Sequence, residues 1–394
     1  MKLHLRLILT RGIICIFLAH LFCCFFTASV QAAPKAPSIK ANGAILLDAK
    51  TGEVLFGHNI HKRYAPASTT KIMTAILAIE SGRLDEKATV SPKAAGTGGS
   101  SLHLFAGQTL TVRELVTGLM MRSGNDAAVA IAEHLAGSEE AFIAQMNTKA
   151  QVLGAVNTHF RNPHGLTAAS HYSTAFDLAW ITRYALANPV FAAIVNTREA
   201  SIDWFDRRGK ETDVNLRNTN KLLWMLEEAD GVKTGTTNEA GPCLVSSATS
   251  GNQRLIAVVL HDHSRWYDSM QLLQYGFRSF DLFEYADAGQ YVGTITVERG
   301  ADETVDVHIS QQAAIVIKPD DVDQVTVELD LPEKITAPVY EGQKIGEVIF
   351  YIHDRAVKTV DIVASSNVAE RTISTAFLGQ LLEVWRIIAG WGLM

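Results

Sequence analysis

The sequence predicts an α/β domain followed by a small all-β domain, and three observations carry that expectation. Apolar runs at 44–47 and 53–56, joined by Asp48-Ala49-Lys50-Thr51-Gly52, read as a hairpin, and strand-like runs return at 241–249 and 255–260. Between these ends, apolar residues recur at three- and four-residue spacing, the pattern of helices with one face in a core. Beyond Gly289 the texture changes to short alternating runs broken by Gly, Pro and Asp. Strands at both ends of a helical middle assemble most simply into one sheet with helices packed on it, here over residues 38–285.

Taken in order, the chain opens with Lys2, Arg6 and Arg11, an apolar run over 12–26, and the small residues of Ala28-Ser29-Val30-Gln31-Ala32. Basic start, short apolar centre and small residues at the end predict a cleaved secretory signal over 1–32, and the run is too short and too interrupted by His20 for a membrane span. A polar lead-in at 34–40 precedes the hairpin. Helices are expected over 68–80, where Ile72, Met73, Ile76, Leu77 and Ile79 recur, and over 110–119, 127–135, 140–153 and 174–187. Ser250-Gly251-Asn252-Gln253 then turns one late strand into the next. The β domain is expected over 289–366, with strands at 291–297, 304–309, 314–317, 325–329, 347–352 and 359–363.

The last segment, 372–394, is of another kind. Thr375, Gly379, Glu383, Arg386 and Gly390 form one narrow polar stripe, and Phe377, Leu378, Leu381, Leu382, Val384, Trp385, Ile387, Ile388 and Trp391 fill the rest of the helix surface. Two mid-helix charges make spanning costly and two tryptophans suit a headgroup layer, so the segment predicts an amphipathic, in-plane anchor on a membrane surface. A helix docked on the protein, or on a second copy, remains the alternative.

At 47% hydrophobic residues the chain has ample material for a core, which excludes intrinsic disorder. The formal charge is −6, and removing the signal takes away three basic residues and no acidic one, so the mature protein is more acidic still and nucleic acid is not an expected partner. Cys15, Cys23 and Cys24 leave with the signal. Cys243 then remains alone, and an exported chain with one cysteine has no internal disulfide to rely on.

Chemistry concentrates at three places. Ser68-Thr69-Thr70-Lys71 sets a hydroxyl and an amine one turn apart on the same helix face. A serine is a poor nucleophile without a base, and a lysine whose pKa is depressed can serve as that base. The helix start also aims N–H groups at negative charge forming on a substrate oxygen. Ser-x-Asn occurs at Ser123-Gly124-Asn125 and Ser250-Gly251-Asn252, and Lys-Thr-Gly at Lys50-Thr51-Gly52 and Lys233-Thr234-Gly235. The copies at Lys50 and Ser250 lie in hairpin turns, where such residues are ordinary. Ser123 instead separates two helices, and Lys233 lies between Gly231-Val232 and the strand after Gly241.

Ser68, Ser123 and Lys233, in that order, match the three motifs shared by penicillin-binding proteins and class A β-lactamases. Over residues 42–283 the sequence resembles the low-molecular-mass penicillin-binding proteins that act as serine D-alanyl-D-alanine carboxypeptidases. The resemblance rests on Arg63-Tyr64-Ala65-Pro66-Ala67-Ser68-Thr69-Thr70-Lys71, on Ser123-Gly124-Asn125-Asp126-Ala127-Ala128, on Phe160-Arg161-Asn162-Pro163-His164-Gly165-Leu166, and on Asp230-Gly231-Val232-Lys233-Thr234-Gly235-Thr236-Thr237. It implies an antiparallel sheet with helices on both faces. It implies Ser68 as acylated nucleophile, Lys71 as general base, and Ser123 and Asn125 as proton relay and amide holder. Lys233, Thr234, Gly235 and Thr236 become substrate-binding, with the amides of Ser68 and Thr236 as oxyanion hole, and Arg254 is matched to an arginine used near the terminal carboxylate. The expected substrate is the peptidoglycan pentapeptide stem, β-lactams are expected covalent inhibitors, and no cofactor is implied.

The alternatives are a D,D-endopeptidase acting on cross-links, for which the same motifs serve, and a non-catalytic wall-binding scaffold, which the intact Ser68, Lys71 and Lys233 disfavour. A class A β-lactamase needs a Glu-x-x-Leu-Asn loop, and Glu211-Thr212-Asp213-Val214-Asn215 has the wrong spacing. Metal catalysis has no His-Glu-x-x-His helix or cysteine pair behind it, so His58, His61, His261 and His263 are expected in solvated or capping roles. Gly96-Thr97-Gly98-Gly99-Ser100-Ser101 reads as a flexible loop near the cleft rather than a phosphate cradle, and His164 receives no mechanistic role.

Overall fold

Strand β1 (Gly43–Asp48) is buried along its whole length, because both faces of the sheet it joins are covered. Ile45 and Leu47 enter one apolar core while Ala44 and Leu46 enter another, as the two-residue period of a strand requires. The computed structural model describes residues 35–202 and 214–371; the predicted signal over 1–32 and the predicted amphipathic helix over 372–394 lie outside the described residues.

Strand β2 (Val54–His58) pairs with β1 as the predicted hairpin. The helical middle follows as α1 (Lys71–Glu80), α2 (Val112–Arg122), α3 (Asn125–Ala136), α4 (Glu139–Val152), α5 (Ala175–Leu186) and α6 (Pro189–Asn196). Local sequence sets their ends. Thr111 and Glu114 form a reciprocal capping box at the start of α2, Gly137 ends α3 in the left-handed region, and Asn188 caps α6 with Pro189 at its first position. The sheet is completed by β3 (Ala229–Thr237), β4 (Gly241–Ser250) and β5 (Gln253–Leu260), and α7 (Arg265–Ser279) follows. All pairings are antiparallel and the strand order is β2-β1-β5-β4-β3, so β3 is an edge strand.

One core joins Ile45, Leu47, Val245, Ile256 and Val258 of the sheet to Ile72, Ile76, Leu119, Ile131, Leu178 and Phe191 of the helices. The other joins Leu46, Leu244, Leu255 and Val259 to Leu272 and Leu273 of α7 and to Leu222 and Leu226. The sheet therefore carries helices on both faces. Several elements escaped the sequence reading, α6, β3 and α7 among them. Gly231-Val232-Lys233-Thr234-Gly235 is a strand despite its two glycines, and α7 has polar residues in most positions yet buries Leu272, Leu273 and Gly276.

The β domain begins with β6 (Asp281–Ala286), which pairs with β9 (Ala313–Ile317). A six-stranded sheet is built from β7 (Tyr291–Glu298), β8 (Thr304–Ile309), β10 (Val325–Asp330), β11 (Lys334–Thr336), β12 (Lys344–Ile352) and β13 (Arg355–Ala364), in the order β10-β12-β13-β8-β7-β11. Val305, Val307 and Ile309 alternate into a core with Val348, Phe350, Val360 and Ile362.

Candidate active site

The nucleophile turn is built from strain and close packing. Ala67, immediately before Ser68, adopts φ 48°, in the left-handed region that a residue with a Cβ rarely enters. A 3-10 turn (Ala67–Thr70) leads into α1, so Ser68 sits half-buried at the helix entry and Lys71 is fully buried one turn on. The third motif lies directly against this turn. A Cβ on Gly235 would stand 3.0 Å from Ser68 N and 3.1 Å from Pro66 O, so only glycine lets β3 approach this closely. Gly165 (φ 88°) serves the other side, where a Cβ would meet Ala67 O at 1.8 Å.

Lys71 Nζ lies 3.1 Å from Ser68 Oγ, 2.6 Å from Asn125 Oδ1 and 2.6 Å from the carbonyl oxygen of His164. Burial, seconded by the charge of Lys233 and opposed by Asp126, holds Lys71 well below the ordinary lysine range. A neutral amine has two N–H donors and one lone pair. In that form Asn125 and His164 accept both hydrogens and the lone pair is left for the Ser68 hydroxyl, whereas the ammonium form donates to all three. His164, without a role in the sequence, thus contributes its backbone carbonyl; its imidazole is pushed down to about 3, first by burial and then by Lys71, so the ring is neutral.

Ser123 adopts φ 66° at the end of α2, and its Oγ is buried without a hydrogen-bond partner among the described residues. Asn125 opens α3 and is locked from behind: its Nδ2 donates to Gly98 O at 2.6 Å and its backbone N–H to Ser100 O at 2.7 Å. Asp126 accepts from Ser101 Oγ, Leu102 N and Leu104 N. The 96–101 segment, expected as a flexible loop, is therefore fastened at several points to the second motif.

On β3, Lys233 is buried and donates to Thr234 O at 3.1 Å; burial, with Arg265 adding repulsion, lowers it to about 7. Arg265 is the residue the sequence reading missed. Its guanidinium donates to Gly235 O and Thr236 Oγ1, both at 2.9 Å, and to Cys243 O at 3.2 Å. Arg254, expected here, is elsewhere. It pairs with Thr249 in the β4–β5 register and donates to Asp230 Oδ2 at 3.0 Å and Thr249 Oγ1 at 2.9 Å, at the end of the sheet away from Gly235. Ser68 comes from the 3-10 turn, Lys71 from α1, Ser123 from the end of α2, Asn125 from α3, and Lys233, Thr234, Gly235 and Thr236 from β3. Among the described residues no group of three or more His, Cys, Asp and Glu side chains is placed to hold a metal.

A hydroxyl beside a buried amine, on a helix clasped to a sheet edge, puts the chain among serine hydrolases that work through an acylated side chain. A family model described as D-alanyl-D-alanine carboxypeptidase matches residues 30–264, and one described as the C-terminal domain of penicillin-binding protein 5 matches 280–370. D-alanyl-D-alanine carboxypeptidase DacF of Bacillus subtilis (strain 168) is 36% identical over 341 residues, covering 84% of this chain and 85% of the relative. DacD of Escherichia coli (strain K12) is 33% identical over 382 residues, covering 93% and 95%. The crystal structure of penicillin binding protein 5 from Haemophilus influenzae superposes with a TM-score of 0.73 at 30% identity, covering 86% of this chain and all of that one. The chain belongs to the D-alanyl-D-alanine carboxypeptidase family. It is a serine-type, penicillin-binding carboxypeptidase of peptidoglycan metabolism.

Proposed function

We propose that Ser68 is the residue acylated when the terminal D-alanine is removed from a pentapeptide stem, with Lys71 as its base. The observation that carries this reading is the placing of Lys71 Nζ within hydrogen-bond distance of Ser68 Oγ, Asn125 Oδ1 and the His164 carbonyl; when the amine is neutral, the last two take its N–H groups and the lone pair is left for Ser68 Oγ. Ser68 Oγ attacks the penultimate D-alanyl carbonyl as its proton passes to Lys71. The tetrahedral oxygen is held by the N–H groups of Ser68 and Thr236, the closeness of Gly235 to Ser68 N supporting that pairing. The proton then passes through Ser123, whose Oγ is uncommitted, to the departing amine as the C–N bond breaks. Asn125 holds the peptide amide, and water cleaves the Ser68 ester.

Lys233 and Thr234 receive the terminal carboxylate, and Arg265 takes the part that the sequence reading gave to Arg254. β-Lactams, a strained amide beside a carboxylate, acylate the same serine. The first 32 residues direct export, and 372–394 hold the enzyme on the outer face of the cytoplasmic membrane, beside the wall. Ser68→Ala is expected to abolish both penicillin labelling and D-alanine release; covalent labelling that persists in the folded variant would sink the assignment.

A further inference from the structure

Beside the start of α7 two carboxyl groups are buried against each other. Asp262 lies in the short loop between β5 and α7, and Asp268 in the first turn of α7. They are 0% and 2% exposed, and among the described residues neither makes an ion pair. Acids are almost never buried so fully without a partner. Their donors are backbone groups: Asp262 Oδ1 accepts from Ser264 N at 2.7 Å, and Asp268 Oδ2 accepts from the N–H of Lys40 in the lead-in. Asp262 Oδ2 is buried without such a donor, and the carboxyl hydrogen-bonds instead with Asp268. Two carboxylates have no hydrogen to share, whereas a carboxyl and a carboxylate bond through one proton. Burial pushes Asp262 up to about 6; the Ser264 N–H opposes, and the charge of Asp268 and the bond with it add to the rise.

The pair is wired to the third motif. Asp262 N–H donates to Pro242 O at 2.8 Å, and Asp262 O accepts the N–H of Arg265 at 3.1 Å. Arg265 is the residue whose guanidinium holds Gly235 O, Thr236 Oγ1 and Cys243 O, and the charge of Asp262 acts on it directly. The other titratable groups facing Asp262 are His263, whose ring meets His261 edge-on, and the Cys243 thiol, which burial pushes up to about 11 and so keeps neutral. The lead-in contributes only the backbone of Lys40.

We propose that Asp262 and Asp268 are positioning residues for carboxylate binding, one proton shared between them fixing the start of α7 and limiting the negative charge behind Arg265. The inference rests on the reading of Arg265 given above. With the proton in place the pair carries a single charge and Arg265 keeps its pull on the terminal carboxylate of the peptide. Loss of the proton to solvent sets two buried like charges against each other, loosens the turn that carries Arg265 and offsets its charge from behind. Both effects weaken substrate binding and leave Ser68 and Lys71 untouched. D268N freezes the closed state, since its amide oxygen still accepts from Lys40 and its nitrogen donates to Asp262 at every pH. D262N reaches the same state from the other side, with its oxygen on the Ser264 N–H and its nitrogen on Asp268.

The test measures KM and kcat for a D-Ala-D-Ala peptide between pH 5 and pH 6.5, below the discharge of Lys233, on the full-length protein at constant ionic strength. KM of the native chain is expected to rise about threefold over that range with kcat nearly constant. In D268N and D262N the rise should vanish and KM at pH 6.5 should stay at the low native value of pH 5, a gain that loss of a merely structural contact does not give. The rise should survive H263Q, and a melting curve on each sample checks the fold. A native KM that is flat over this range, a rise that persists in both aspartate variants, or one that H263Q abolishes overturns the inference. R265Q separates the two readings: a raised KM keeps Arg265 at the carboxylate whatever the aspartates do, and an unchanged KM overturns the Arg265 reading and this inference together.

Discussion

Lys71 shows how much of this chemistry rests on one buried amine. Its removal from water disfavours the ammonium form, and the acceptors at Asn125 and His164 turn the remaining lone pair toward Ser68. Lys71→Arg keeps a cation and donors but never supplies a base at neutral pH. Acylation by a fluorescent penicillin should slow by about 10²–10⁴-fold in that variant, and a near-native rate would remove Lys71 from the role. Lys233 has the opposite task in the proposed mechanism, where it must be charged to hold a carboxylate. It is lowered to about 7, so raising the pH through that value in the free enzyme discharges it. KM for a D-Ala-D-Ala peptide is therefore expected to rise above pH 7 with kcat less affected. Lys233→Arg should push that rise to higher pH; a KM flat from pH 6 to 9 would contradict the assignment.

At the scale of elements, the site depends on how closely β3 is seated against the turn that carries Ser68. Gly235→Ala places a methyl 3.0 Å from Ser68 N and 3.1 Å from Ala67 Cβ, so strand and turn must part by a few tenths of an ångström. Acylation is expected to fall by about 10²-fold while the thermal midpoint moves little, because catalysis is more sensitive than folding to a small displacement of the attacking oxygen. Stopped-flow acylation and a melting curve on the same sample check both halves. The helices were legible because α1 through α5 each have an apolar stripe, and the hairpins because turn residues separate apolar runs. β3 was not, since its glycines serve the approach to Ser68 rather than strand propensity. The arginine went astray for a related reason. The family resemblance at Gln253-Arg254-Leu255-Ile256 pointed to Arg254, but the β4–β5 register carries it to the opposite end of the sheet, and the fold brings Arg265 from the start of α7 to Gly235 and Thr236 instead.

For the whole molecule, the sequence placed the change to short strands beyond Gly289, whereas β6 (Asp281–Ala286), directly after α7, already pairs with β9. The pairing order β10-β12-β13-β8-β7-β11 was not readable, because it depends on contacts between strands distant in sequence. The two halves meet through Lys50, which pairs with Glu284, and through Val316, whose N–H faces Glu53 Oε1 at 3.5 Å. Deleting 372–394 is expected to release the enzyme from anionic vesicles in a flotation assay with penicillin labelling retained, whereas a truncated chain that still floats would place the membrane contact elsewhere. In the proposed mechanism Ser68 carries the acyl group from penicillin and from the peptide alike. That role is tested most directly by mass spectrometry of the purified protein incubated with penicillin and, separately, with pentapeptide. One penicilloyl adduct mapped to Ser68 and loss of a single D-alanine from the peptide are expected; an adduct on any other residue, or a protein that penicillin leaves unmodified yet releases D-alanine, would remove Ser68 from the role.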